Sequence, residues 1–302
     1  MESPKKSQFF ISEVCEGGYA RTDLACESAA SVLDSEEENI VIGTAAVTVT
    51  RHRGGAGEPS FATLACGRIT ERGEEEIPLL SELLAKELRR MAAFMVGRAV
   101  DSSWRVLVAG LGNVHMTPDA VGPGTVSRLT VTRHLRVHDE ALFGALGCCE
   151  LSALAPGVLG QTGMESGELV RAAAELTRPD LLVVVDALAA RSCERLASTI
   201  QLSDGGISPG AGIGNHRMAI NRETMGCPVM GVGVPTVVDS STLVWDALEK
   251  AGMTQECLPS ELIAVLESGR SFIVTPRDCD EMEELTCRLL AEALDLAFGV
   301  GG

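Results

Sequence analysis

The chain has 302 residues, of which 45% are hydrophobic and 22% are charged, a composition typical of a globular protein with a large core. Its 25 Lys and Arg against 42 Asp and Glu give a formal net charge of −17. Because this charge repels a phosphate backbone, direct binding of nucleic acid is not expected. No run of 18 apolar residues and no signal-peptide pattern occurs, so we expect no membrane partner and a cytoplasmic location.

Hydrophobic periodicity predicts strands and helices that alternate along most of the chain. The first 39 residues are expected to be loosely ordered. Apolar and β-branched runs predict strands over 40–50, 61–69, 105–109, 181–185, 229–234 and 271–274. Helical spacing predicts helices over 77–100, near 118–138, near 165–176, over 239–251 and over 278–298. This alternation indicates an α/β fold: an open, mostly parallel sheet with helices on both faces, in one compact domain.

Three motifs have a simpler explanation than the chemistry they resemble. Gly110-Leu-Gly112-Asn113 resembles the start of a dinucleotide fingerprint, but His115 stands where the third glycine belongs, which favours a tight strand-to-helix turn. Ser208 lies in a G-x-S-x-G match, but it stands inside the glycine-rich loop 205–214, without the strand before it that a nucleophile elbow requires. His134 and His138 have metal-ligand spacing, but the neighbouring arginines favour a surface of mixed charge.

Two carboxylates point more strongly to catalysis. Asp186 ends the apolar strand 181–185, at the rim of a parallel sheet where ligands bind. Asp119 follows the strand 105–109 and its glycine turn, although Thr117-Pro118-Asp119 is also ordinary helix-start chemistry. If the two strands are neighbours, both carboxylates meet at one crevice. Such a pair can activate water as a base and protonate a leaving amine as an acid.

Eight blocks of sequence, in register, resemble the germination protease (spore protease) family of endospore-forming bacteria. The blocks begin at Gly110-Leu-Gly-Asn, Thr117-Pro-Asp-Ala, Val131-Thr-Arg-His, Ala155-Pro-Gly-Val, Val185-Asp-Ala-Leu, Thr199-Ile-Gln-Leu, Pro209-Gly-Ala-Gly and Gly233-Val-Pro-Thr.

The resemblance implies an endopeptidase that degrades small acid-soluble spore proteins during germination, and we expect no cofactor and no metal ligands. It implies an α/β fold shared with hydrogenase-maturation proteases, a homotetramer, and catalytic aspartates at Asp119 and Asp186. Two other readings stay open: a metal-dependent maturation-type peptidase on the same fold, and a non-catalytic binding protein.

The resemblance also implies a zymogen with an N-terminal propeptide. Family substrates are cut after an acidic residue that precedes an apolar residue and Ala, and Thr22-Asp23-Leu24-Ala25 has this pattern. We therefore expect self-processing at Asp23–Leu24, which divides the chain into a propeptide, 1–23, and a single protease domain, 24–302. The same four residues could instead only begin the first ordered element.

Overall fold

A computed structural model describes residues 22–27, 35–43, 45–55, 58–208, 218–253, 258–268 and 272–299. The strands are β1 (Ser35–Ile42), β2 (Ala45–His52), β3 (Phe61–Ala65), β4 (Arg105–Gly110), β5 (Glu150–Leu154), β6 (Leu181–Ala190), β7 (Thr199–Ser203), β8 (Val229–Asp239) and β9 (Ile273–Val274). The α-helices are α1 (Glu76–Val96), α2 (Val121–Val126), α3 (Arg133–His138), α4 (Glu140–Leu146), α5 (Leu159–Thr162), α6 (Ser166–Thr177), α7 (Arg222–Met225), α8 (Ser240–Lys250), α9 (Ser260–Ser268) and α10 (Cys279–Phe298).

The nine strands of the described residues belong to one sheet, in the order β1-β2-β3-β7-β8-β6-β4-β5, with β9 paired to β8. The neighbours β5, β4, β6 and β8 run parallel. The strands β1, β2, β3 and β7 extend this parallel centre as an antiparallel arm, and β9 is also antiparallel to its partner. The predicted α/β class is confirmed.

Helices cover both faces of the parallel centre because successive strand residues point to opposite sides. Val106 and Val108 of β4 pack in a core cluster with residues of α1 and α10. The intervening Leu107 and Ala109 pack in a second cluster with Val170 of α6. Within the described ranges, no helix is both long enough and apolar enough to cross a membrane.

Two of the differences from the predicted elements arise where a glycine changes the chain direction. The single strand predicted over 40–50 is wrong: β1 and β2 form a hairpin there, and Gly43 at the turn has a φ of +61°. The helix predicted over 77–100 stops at Val96, since Gly97 adopts a left-handed φ of 78° at its C-cap. The helix expected near 118–138 is divided into a 3₁₀ turn at Thr117–Asp119, then α2 and α3.

Candidate active site

The candidate active site is built where the chain leaves β4 beside β6. Gly110, the last residue of β4, pairs with Val185 of β6. The N–H of Leu111 then donates a hydrogen bond to the Val185 carbonyl at 2.8 Å, although β4 has ended. This bond holds the segment after β4 against the residue that precedes Asp186.

Asp119 is the last residue of the 3₁₀ turn that follows this segment, and it is partly exposed. Its Oδ2 accepts the N–H of Asn113 at 2.9 Å, and its carbonyl accepts the same N–H at 3.1 Å. The loop closes so tightly that a Cβ on Gly112 would lie 1.9 Å from the Asp119 carbonyl oxygen. The Gly112 φ of +114° is also one that L residues rarely adopt, so glycine is required here.

A bulge in β8 fastens the same loop from the other side. The register of β6 against β8 shifts between Leu188 and Ala189, so Thr236 of β8 has no partner in β6. The hydroxyl of Thr236 donates to the Pro118 carbonyl at 2.6 Å. Bulges commonly redirect one side chain in this way near functional sites. The position of Asp119 is therefore fixed by β8 as well as by its own loop.

Asp186 lies within β6, so the prediction that it ends the strand is wrong. The strand continues to Ala190 because β8 pairs with it as far as Val238. Asp186 pairs with Gly233 and is only 6% exposed. Its Oδ1 accepts the N–H of the following Ala187 at 3.0 Å. The carboxylate is therefore buried within the sheet rather than at the tip of a strand.

Along the chain, both aspartates nevertheless come after the last residues that pair β4 with β6. The 3₁₀ turn that carries Asp119 contacts β6 and β8. Gly122, just beyond it, approaches β6 so closely that a Cβ would lie 2.7 Å from the Val185 carbonyl oxygen. Two carboxylates that share one site are suited to general acid and base chemistry. Their catalytic roles stay a prediction.

A cavity of about 270 Å³ opens beside the Asp119 loop. Thr117, the first residue of the turn, and Ala120, the residue after it, line one side, and Asp280 and Glu283 line another. The cavity provides accessible space next to the residues that position Asp119.

The residues of the predicted cleavage site are docked on β6. Asp23 donates its N–H to the Ala189 carbonyl at 2.9 Å, and its Oδ2 accepts the Ala189 N–H at 2.9 Å. Leu24 is 1% exposed and packs in a cluster with Leu188 and Leu196. In this conformation the Asp23–Leu24 bond joins a half-buried residue to a fully buried one.

Two side chains that the sequence did not single out complete this docking. Gln201 of β7 accepts the Ala25 N–H at 2.6 Å and donates to the Asp23 carbonyl at 3.3 Å. The Glu27 carboxylate accepts N–H groups of Arg191 at 2.8 Å and Ser192 at 3.1 Å. Gln201 lies in one of the eight sequence blocks, but no local pattern could connect it with Ala25.

The other candidate motifs lie apart from this arrangement. His134 and His138 belong to the exposed helix α3, where Arg133 and Arg136 both form ion pairs with Glu150. Among the described residues, no group of three or more His, Cys, Asp or Glu is placed to hold a metal ion. Ser208 ends a described range, and most of the glycine-rich loop 205–214 lies outside the described residues.

Comparison with known proteins decides the family. A family model described as germination protease matches residues 21–256. The chain belongs to the germination protease family. It is 37% identical to the germination protease of Clostridium acetobutylicum over 262 residues, which cover 79% of this chain and 78% of the relative. It is 35% identical to that of Caldanaerobacter subterraneus subsp. tengcongensis over 313 residues, which cover 93% and 94%.

The germination protease family makes this chain a peptidase of spore germination. Among solved structures, it is similar to a NiFe hydrogenase maturation protease from Thermococcus kodakarensis, with a TM-score of 0.31 and 18% identity. That similarity covers 65% of this chain and 94% of the archaeal protein.

Proposed function

We propose that this germination protease is an endopeptidase that hydrolyses small acid-soluble spore proteins, with Asp119 and Asp186 as its catalytic pair. The observation that carries the proposal is the Leu111 N–H bond to the Val185 carbonyl at 2.8 Å. This bond joins the segment leading to Asp119 to the residue before Asp186. It therefore supports a single site, shared by the two aspartates, where β4 ends beside β6.

The proposed reaction is direct attack of water on the peptide carbonyl. One carboxylate takes a proton from the water as the water oxygen bonds to the carbonyl carbon. The other, protonated, carboxyl gives its proton to the amide nitrogen as the C–N bond breaks, leaving a carboxylic acid and an amine. The burial of Asp186 and the partial exposure of Asp119 give the two groups different surroundings. Different surroundings are the usual means of separating an acid from a base.

The test of this function is incubation of the purified chain with a small acid-soluble spore protein, with and without a chelator. Chelator-resistant hydrolysis that requires both aspartates supports the proposal. Loss of activity on chelation, with recovery on adding back a metal ion, would support the metal-dependent alternative. A binding protein without catalysis would retain its binding with Asn at both positions and release no fragments.

We further propose that the chain is made as a zymogen that removes residues 1–23 by cutting Asp23–Leu24. The match of Thr22-Asp23-Leu24-Ala25 to the substrate pattern supports this. Because Asp23 is hydrogen-bonded to β6 and Leu24 is buried in the docked state, we expect cleavage to require prior release of the segment. Mass spectrometry of an incubated sample is expected to show a new amino terminus at Leu24.

The proposed setting is the cytoplasm of the developing and germinating spore, where the chain acts as a homotetramer and binds neither nucleic acid directly nor membrane. The net charge of −17 supports the absence of a direct nucleic-acid contact. Light scattering coupled to size-exclusion chromatography tests the assembly, and a monomer that is fully active would refute the tetramer as the working form.

A further inference from the structure

One edge of β6 continues beyond the point at which its partner β4 ends. β4 ends opposite Val185, whereas β6 continues to Ala190. On that side of β6, no described strand pairs with residues 186–190. Alternate residues of a strand direct their N–H and C=O groups to the same edge, so Ala187 and Ala189 face the side that β4 has left. We call Ala187–Ala189 the β6 edge.

The residues Thr22–Ala25 already occupy part of the β6 edge. Asp23 makes two hydrogen bonds to Ala189, one from its main-chain N–H and one to its carboxylate, both at 2.9 Å. Main-chain bonds to a sheet edge combined with pockets for individual side chains are how strand addition recognises peptides.

Two side chains of the docked segment meet complementary groups. The acidic Asp23 meets an N–H, and the apolar Leu24 fills an apolar pocket that includes Leu188 and Leu196. The main-chain N–H of Ala25 donates to Gln201. The sequence that fits is therefore an acidic residue followed by an apolar residue.

The β6 edge is also next to the candidate catalytic pair. Ala187 lies one residue beyond Asp186, and its N–H is already held by the Asp186 carboxylate at 3.0 Å. Ala189 lies three residues beyond Asp186, or about 10 Å along the strand at about 3.3 Å per residue. A polypeptide that occupied this edge as far as Ala187 would therefore reach the residue next to Asp186.

We propose that the β6 edge binds the main chain of the substrate polypeptide by strand addition, and that Thr22–Ala25 occupies this site in cis. The inference rests on the proposed function for the identity of the substrate, but the binding itself requires no catalysis. A segment tethered in the same chain competes at an effective concentration of about millimolar. Substrate can therefore bind the β6 edge only after this segment has left it.

The test measures peptide binding to full-length chains that carry Asp186→Asn, so that no turnover occurs. The probe is a fluorescein-labelled peptide that copies residues 21–27 with Ser in place of the cysteine, and its anisotropy reports binding. Leu24→Asp displaces the cis segment by placing a charge in the apolar pocket. We expect the peptide to bind this chain at least tenfold more tightly than the chain with native Leu24.

Two altered peptides test the contacts themselves. Replacing the peptide's Asp by Ala, or methylating the main-chain nitrogen of that Asp, should each weaken binding about tenfold or more, because each removes one bond to Ala189. If Leu24→Asp prevents folding, as shown by the loss of a thermal unfolding transition, the double variant Asp23→Ala/Glu27→Ala releases the segment without burying a charge.

The results separate this inference from the proposed function. No binding to any folded chain with a released segment, or equal binding whether or not the segment is released, overturns the β6 edge as a peptide site. Hydrolysis of a spore protein without such binding leaves the proposed function standing. Peptide binding with no hydrolysis by the native chain leaves the β6 edge standing and overturns the function.

Discussion

The hydrogen bond from the Leu111 N–H to the Val185 carbonyl, at 2.8 Å, extends the contact of two parallel strands by one residue after one of them has ended. Beyond this bond the two segments take different paths. One leads through the glycine turn to Asp119, and the other continues as β6 with Asp186 as its next residue. The two proposed catalytic residues therefore follow the same hydrogen bond, one along each of the two segments that it joins.

Replacing either aspartate by asparagine should remove most activity without unfolding the protein. Loss of a positioned acid or base typically lowers the rate about 10²–10⁴-fold. The measurement is the initial rate of spore-protein cleavage, with circular dichroism to verify folding.

Asp180→Asn is the matched control, because Asp180 lies at the opposite end of β6, directly before its first residue. Its carboxylate accepts the Arg105 N–H at 2.8 Å. It should leave the cleavage rate within about twofold of the native one. Full activity in Asp119→Asn or Asp186→Asn would reject the assigned pair.

The sequence predicts the parallel centre well because its strands are buried apolar runs, and such runs are visible without knowledge of the partners. It places Asp119 and Asp186 after two such runs, which the structure shows to be the neighbours β4 and β6. It cannot give the end of β6, since that end depends on how far β8 accompanies it. The contact between Ala25 and Gln201 spans 176 positions, so no local sequence pattern can predict it.

The glycine at 112 should be indispensable for placing Asp119. In Gly112→Ala the new Cβ would meet the Asp119 carbonyl oxygen at 1.9 Å, and the φ of +114° adds strain of about 1–3 kcal/mol. A displacement of about 1 Å at a catalytic group can lower the rate about 10²-fold. We expect both the thermal midpoint and the cleavage rate to fall.

Gly144→Ala provides the comparison, since this glycine lies within α4 and a Cβ there meets nothing within 4 Å. Alanine in a helix interior is favoured over glycine by about 0.5–1 kcal/mol, so this variant should be at least as stable as the native chain. A Gly112→Ala enzyme of native stability and rate would contradict the close approach.

Weakening the docking of residues 22–27 away from the cleavage site should accelerate processing. Glu27→Ala removes the carboxylate that accepts the Arg191 and Ser192 N–H groups at 2.8 and 3.1 Å. Hydrogen bonds to a charged group contribute about 1.5–3 kcal/mol, and each 1.4 kcal/mol is about tenfold in the released population. Mass spectrometry should show the Leu24 terminus forming about tenfold faster or more.

Glu194→Ala is the control for processing, because Glu194 lies on the neighbouring 3₁₀ turn with a side chain 82% exposed. Its processing rate should match that of the native chain. If Glu27→Ala slows processing instead, then the docked conformation is the one that is cut, and the requirement for release is wrong.

Two aspartates should make opposite contributions to the pH dependence of stability. Burial raises the pKa of Asp204, although its carboxylate accepts the Ser60 N–H at 2.7 Å. A carboxyl whose folded pKa lies above its ordinary value of 3.8 stabilises the fold fully below that value and loses this contribution as pH rises through the folded pKa. Asp204→Asn should therefore gain stability relative to the native chain between pH 4 and 7.

Asp278, at the start of α10, provides the opposite sign. The Thr70 hydroxyl, together with Arg68, lowers the pKa of Asp278, and the Thr70 bond measures 2.8 Å. A lowered folded pKa stabilises the fold above the ordinary value of 3.8 and loses this contribution as pH falls through the folded pKa. Asp278→Asn should therefore be less stable than the native chain at pH 7, with the difference shrinking below pH 4. Thermal midpoints from pH 3 to 8 test both variants, and differences that stay constant with pH would contradict both directions.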